Sequence, residues 1–153
     1  MDFYRCLPSL RDVVDWAGHA RAPNGQRHGH QWRIPSSVLD RGEARLSGTK
    51  FDHCSTFEDL HDAIRGAIGS IRGIGDLTVY DTAVRIGAHL GLEPQMVYLH
   101  AGTKAGARAM GLAGQGGRLA MSTLPAAFRQ LSAREVEDCL CIYKDALASA
   151  GAG

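Results

Sequence analysis

Gly73 and Gly75, separated only by Ile74 and followed by Asp76, Leu77 and Thr78, form the part of this chain best suited to holding an anion. A glycine has no Cβ, so backbone at such a turn can come close to another surface. If a helix starts directly afterwards, its first amides have no carbonyl partner within the helix and lie at the positive end of its dipole. Amides of that kind suit phosphate, and a DNA phosphate contacted this way carries no base-sequence information. An ordinary helix-helix corner with nothing bound would use the same residues. Arg72 stands beside the turn, and Lys104 and Arg108 lie four apart, on one side of any helix that holds both. Each of the three is suited to a phosphate contact.

A second cluster, "RHGHQW" at residues 27–32, brings two histidines, an arginine and a tryptophan together. Phosphate contact, base stacking or metal ligation could all use it, as could a plain surface loop. A zinc site drawn from His28 and His30 with His53 and Cys54 matches no established ligand spacing, so neither a metal nor another cofactor is expected. The four cysteines, Cys6, Cys54, Cys139 and Cys141, show no zinc-finger or C-x-x-C redox spacing. They read as reduced thiols of a cytoplasmic protein.

These groups need elements to position them, and the punctuation predicts short helices. Ser9 with Asp12, Ser55 with Glu58, and Ser132 with Glu135 have the spacing of helix-start capping boxes. A helix over about 36–45 follows a loop at 21–35. Leu60, Ala63, Ile64, Ala67, Ile68 and Ile71 recur at helical spacing and predict a helix ending at Gly73. Val79, Ala83, Ile86 and Leu90 continue the pattern over 77–90, with Gly91 as the C-terminal cap. A weaker helix is expected at 102–111, and a glycine-rich loop at 113–118. The last helix carries a stripe of Val136, Cys139, Leu140, Tyr143 and Leu147, read as core together with Trp16 and Trp32. No alternating strand of useful length and no internal repeat is present. The expectation is therefore an all-α single domain over 1–153, with a helix-hairpin-helix core at about 56–91.

Length and charge agree with this. A chain of 153 residues is long enough to bury a core without a staple. A net charge of +1 creates no global basic field, so any nucleic-acid contact must come from a local patch. No apolar run is long enough to cross a bilayer, and the opening residues lack the pattern of an export signal, so no membrane role is expected.

Ile71, Gly73, Ile74, Gly75 and Thr78 stand as in the hairpin of the helix-hairpin-helix DNA glycosylase superfamily, which this chain resembles from about 57 to 112. In that family a loop after the second helix leads to a catalytic aspartate at the head of a basic helix. Here "VYLHAGTKAGARAMGL" takes that place, with Lys104 and Arg108 on the helix. The resemblance implies DNA-backbone binding through Arg72, Gly73, Ile74, Gly75, Asp76, Leu77, Thr78, Lys104 and Arg108. Two departures set the chain apart: His100 stands where the family has its aspartate, and Leu77 where bifunctional members have a lysine nucleophile. Cleaving an N-glycosidic bond builds positive charge on the sugar, which a carboxylate stabilises and a neutral histidine does not. Asp81 is the nearest carboxylate on the second helix, although Arg85 four residues on offers it a simple helix-stabilising ion pair. Asp76 is read as a cap of that helix.

The primary expectation is a DNA-binding protein that contacts phosphates through the hairpin. The alternatives are a DNA glycosylase excising a modified base, using His100, Asp81 and Tyr80, or a helical protein-interaction module docking through the 136–147 stripe. Oligomeric state cannot be read from the chain.

Overall fold

The computed structural model describes residues 1–150, which divide into two compact units, Met1–Glu93 and a second that begins at Pro94. Helices carry the fold, as expected for an all-α protein, and the strands among the described residues form one two-stranded pair. No described helix is long and apolar enough to cross a membrane.

The first unit contains α1 (Asp2–Arg5), α2 (Leu10–Gly18), α3 (Ser36–Ser47), α4 (Phe57–Ile68) and α5 (Asp76–Leu90). Helix α5 packs against α1, α2 and α4, while α3 packs against α2 and α4. Apolar positions on these helices, among them Val13, Leu39, Leu46, Leu60, Ile64, Val79, Ala83 and Ile86, are buried. Burial on most sides of α5, from Thr78 to Ala88, is what a central helix requires.

Three local expectations hold. Ser9 caps α2 by accepting from the Asp12 amide, α3 begins at Ser36, and Gly91 ends α5 with φ 72°, where a side chain would strain the backbone. Two are corrected. The capping box before α4 is Thr56 with Asp59, one residue later than Ser55 with Glu58. That register buries Phe57 together with Leu60, Ile64 and Ile68. Helix α4 also stops at Ile68 rather than Gly73. The apolar spacing ran past the true end because Ile71, although in the turn, is still buried and its amide bonds back to the Ile68 carbonyl at 3.0 Å.

The second unit contains β1 (Met96–Tyr98), α6 (Ala101–Ala109), β2 (Arg118–Ala120), α7 (Ala133–Ile142) and α8 (Lys144–Ala150). The strands are antiparallel, with Val97 opposite Leu119, and both of these side chains enter a core with Ala107, Leu124, Val136 and Leu140. Gly116 and Gly117, at φ 57° and 77°, turn the glycine-rich loop back into β2. Ser132 and Glu135 form the expected capping box of α7. The helix after it is interrupted at Tyr143, which is 58% exposed, as is Ile142 at 67%. Tyr143 therefore leaves the expected core stripe, whereas Val136 and Leu140 stay in it. Trp32, at 62% exposed with Arg33 stacked on its ring, likewise is no core residue.

Candidate functional site

Residues 69–75 connect α4 to α5 through two tight turns, the second closed by the Ile74 amide bonding to the Ile71 carbonyl at 2.9 Å. Gly73 has φ +102°, a conformation that disfavours any side chain, whereas Gly75 has φ −103° and ψ 176°, ordinary extended backbone. Helix α3 holds this turn in place. Its Val38 lies against Gly73, Gly42 leaves room for the Ile74 side chain, and Arg45 donates to the Ala67 carbonyl and to Ser70.

Gly75 is the N-cap of α5, and no side chain caps that end. It is exposed, and a Cβ built on it would meet no atom within 4 Å. The first amides of a fifteen-residue helix therefore open onto accessible surface. Arg72 is exposed beside them and has no ion-pair partner among the described residues. Asp76 is the first helical residue rather than the cap, and its carboxylate takes Arg65 of α4 at 2.9 Å. That pairing offsets a negative charge that would oppose an incoming phosphate. Leu77 is half-buried and Thr78 buried, so the hairpin offers backbone rather than side chains.

Asp81 is not a simple solvated ion pair. Its carboxylate accepts from Gln31 Nε2 and, at 3.3 Å, from Arg85 Nη2, which also donates to Gln31 Oε1 at 3.1 Å. Gln31 and Arg85 are buried, and Arg85 Nη1 has no hydrogen-bond partner. Tyr4 and His28 adjoin this group. The Tyr4 hydroxyl donates to the Arg21 carbonyl at 2.5 Å, and its oxygen lies 2.9 Å from His28 Nε2. A hydroxyl has one hydrogen to give, so His28 must donate from Nε2 to Tyr4. Burial pushes the His28 pKa down, and the Arg85 charge adds to this. Burial raises that of Tyr4. The loop at 27–32 thus sends His28 and Gln31 inward and leaves His30 and Trp32 outside. Sequence reasoning missed Tyr4 and Gln31, which no spacing connects to Asp81. Tyr80 is buried edge-on against Phe57 at 6.1 Å.

The remaining expected site residues belong to the second unit. Lys104 and Arg108 are exposed on α6, four apart, and line a cavity of about 310 Å³ with Leu99, Leu112 and Gly114. His100 is the N-cap residue of α6 and is buried. Its Nε2 meets the Glu137 carboxylate, and Thr103 Oγ1 lies 2.8 Å from Nε2 and donates to the same carboxylate at 3.0 Å. Cys141 Sγ completes a group whose donor atoms all lie within 4.8 Å of one another. Glu137 and Cys141 are four apart on α7, a same-face spacing that the sequence does display. Two α6 glycines allow the approach: a Cβ at Gly102 would lie 2.7 Å from Cys141 Sγ, and one at Gly106 would lie 2.1 Å from the Leu140 carbonyl oxygen. His53 and Cys54 take no part in this group.

Comparison with known proteins adds no relative: no family model, no curated protein and no solved structure matches the chain.

Proposed function

We propose that the first unit binds DNA by its phosphate backbone, through the amides of Gly73, Gly75, Asp76 and Leu77 and the Arg72 guanidinium. The observation that carries this reading is the uncapped start of α5, presented on a hairpin whose Gly75 leaves open space where a side chain would stand. A helix N-terminus with no side chain over it attracts phosphate through both amide hydrogen bonds and dipole. Pairing of Asp76 with Arg65 favours the same ligand. Within the second unit, Lys104 and Arg108 are exposed cations of the kind that position a protein on DNA without reading bases.

A binding role fits these residues better than base excision does. Asp81 already accepts from a buried arginine and a glutamine, so its charge is largely spent on neighbours rather than free to stabilise a cationic sugar. His100 is committed to Glu137. For the protein-docking alternative, Val136 and Leu140 of the stripe are buried in their own unit, which leaves Tyr143 as its exposed aromatic. The test is fluorescence anisotropy with several unrelated DNA duplexes at two salt concentrations, followed by product analysis. Comparable affinity on all sequences, falling steeply with salt, is expected, with intact bases afterwards. Affinity for one sequence only, insensitivity to salt, or released base would overturn the reading.

A further inference from the structure

We propose that His100, Glu137 and Cys141 bind a divalent transition-metal ion of the zinc class, which ties α6 to α7 independently of any DNA contact. Three donors of suitable type converge: an imidazole nitrogen, a carboxylate oxygen and a thiol sulfur, all within 4.8 Å of one another. Atoms bonded to one zinc ion at about 2.0–2.3 Å stand a similar short distance apart, so small side-chain adjustments suffice. His100 and Glu137 are almost fully buried and Cys141 is partly exposed, which leaves an entry side for the ion.

Charge supports the same ligand. Glu137 holds a carboxylate charge where water is scarce, and a bound metal ion converts the Cys141 thiol beside it to a thiolate. A divalent ion with the carboxylate, one thiolate and a neutral imidazole makes the site neutral, the Cys141 thiol proton being released to solvent as the thiolate binds. The thiolate and imidazole select zinc, cobalt or copper over magnesium or calcium, which require oxygen. Thr103 supplies the outer hydrogen bond to the Glu137 carboxylate that metal sites use to fix a ligand's orientation.

The helices are built to allow this. Gly102 and Gly106 clear one face of α6 so that α7 passes with Leu140 and Cys141 directly over it. Cys139, only two residues before Cys141, faces another side of α7 and takes no part. A metal-free His–Glu ion pair with a bystander thiol is the competing arrangement.

The probe is cobalt(II), added to the full chain after chelation and reduction. One equivalent per chain is expected to give visible d–d bands and a near-ultraviolet thiolate-to-cobalt charge-transfer band, both displaced by zinc. Cys141→Ser should abolish the charge-transfer band and Cys139→Ser should keep it. Thr103→Val should weaken binding about 10- to 100-fold. Absence of the bands, retention of the charge-transfer band in Cys141→Ser, or its loss in Cys139→Ser would overturn the proposal. Should Cys141→Ser fail to fold by circular dichroism, alkylation of the wild-type chain decides. Zinc is expected to slow modification of Cys141 and leave that of Cys139 unchanged, and equal rates at Cys141 with and without zinc would overturn it.

Discussion

Two glycine pairs in this chain do opposite work. In the hairpin, Gly73 supplies the positive φ of the turn, and Gly75 keeps backbone uncovered, the space beside it being empty. On α6, Gly106 admits the backbone of α7, whose Leu140 carbonyl fills the space beside it, and Gly102 admits the Cys141 side chain. Removal of a side chain thus creates an accessible amide surface in one unit and a close helix-helix seam in the other. The comparison teaches that a missing Cβ has no meaning by itself. What approaches the gap decides whether a glycine serves recognition or packing.

Substitutions can break that contrast, and the largest effect is expected at the seam. Gly106→Ala would put a methyl group 2.1 Å from a backbone oxygen, which neither helix can accommodate without moving apart. Overpacking of this kind costs about 3 kcal/mol, so the midpoint of a urea titration should fall well below wild type. At the hairpin Gly73→Ala meets only Val38, at ordinary contact distance, but forces a Cβ onto φ +102°. The expected loss is about 1–3 kcal/mol of stability, measured in the same titration. If Gly106→Ala proved the milder of the two, the assigned seam would be wrong.

Lys104→Ala and Arg108→Ala sharpen the contrast from the other side. Neither residue has an ion-pair partner among the described residues, so stability should barely change. If both meet phosphates, each substitution should lower the slope of log affinity against log salt by about one. An unchanged slope would make them ordinary surface charges.

The smallest expected effect is a pH dependence in the first unit. His28 has its pKa lowered in the folded chain, so the unfolded state binds more protons as pH drops. Stability on this account is complete above the unfolded value of about 6.5 and declines progressively as pH falls below it. Urea midpoints at pH 7.5 and 5.5 should therefore differ more for wild type than for His28→Gln. Equal differences would remove His28 from the account.

The hairpin was legible in the chain because its turn demands are local: Gly73 needs positive φ, and Gly91 needs it again at the far end of α5. The box before α4 was misread by one residue because Ser55–Glu58 and Thr56–Asp59 have the same spacing. The Asp59 carboxylate in fact accepts from both Ser55 and Thr56, and burial of Phe57 selects the register. Tyr143 was misread because periodicity continues across a helix break it cannot detect. Neither polar cluster was visible, since Tyr4, Gln31 and Asp81, or His100 and Glu137, lie far apart in sequence and meet only through tertiary packing.

The central claim, recognition of DNA by open backbone at the hairpin, is tested most directly by the affinity of Gly75→Val for duplex DNA beside wild type. Gly75 has ordinary extended φ and ψ with nothing within 4 Å of a Cβ, so the variant should fold and unfold like wild type. Its side chain would nevertheless cover the α5 amides. Losing one amide-to-phosphate bond, about 1.5–3 kcal/mol, corresponds to roughly a 10- to 100-fold weaker complex. A folded Gly75→Val protein with wild-type affinity would contradict the account.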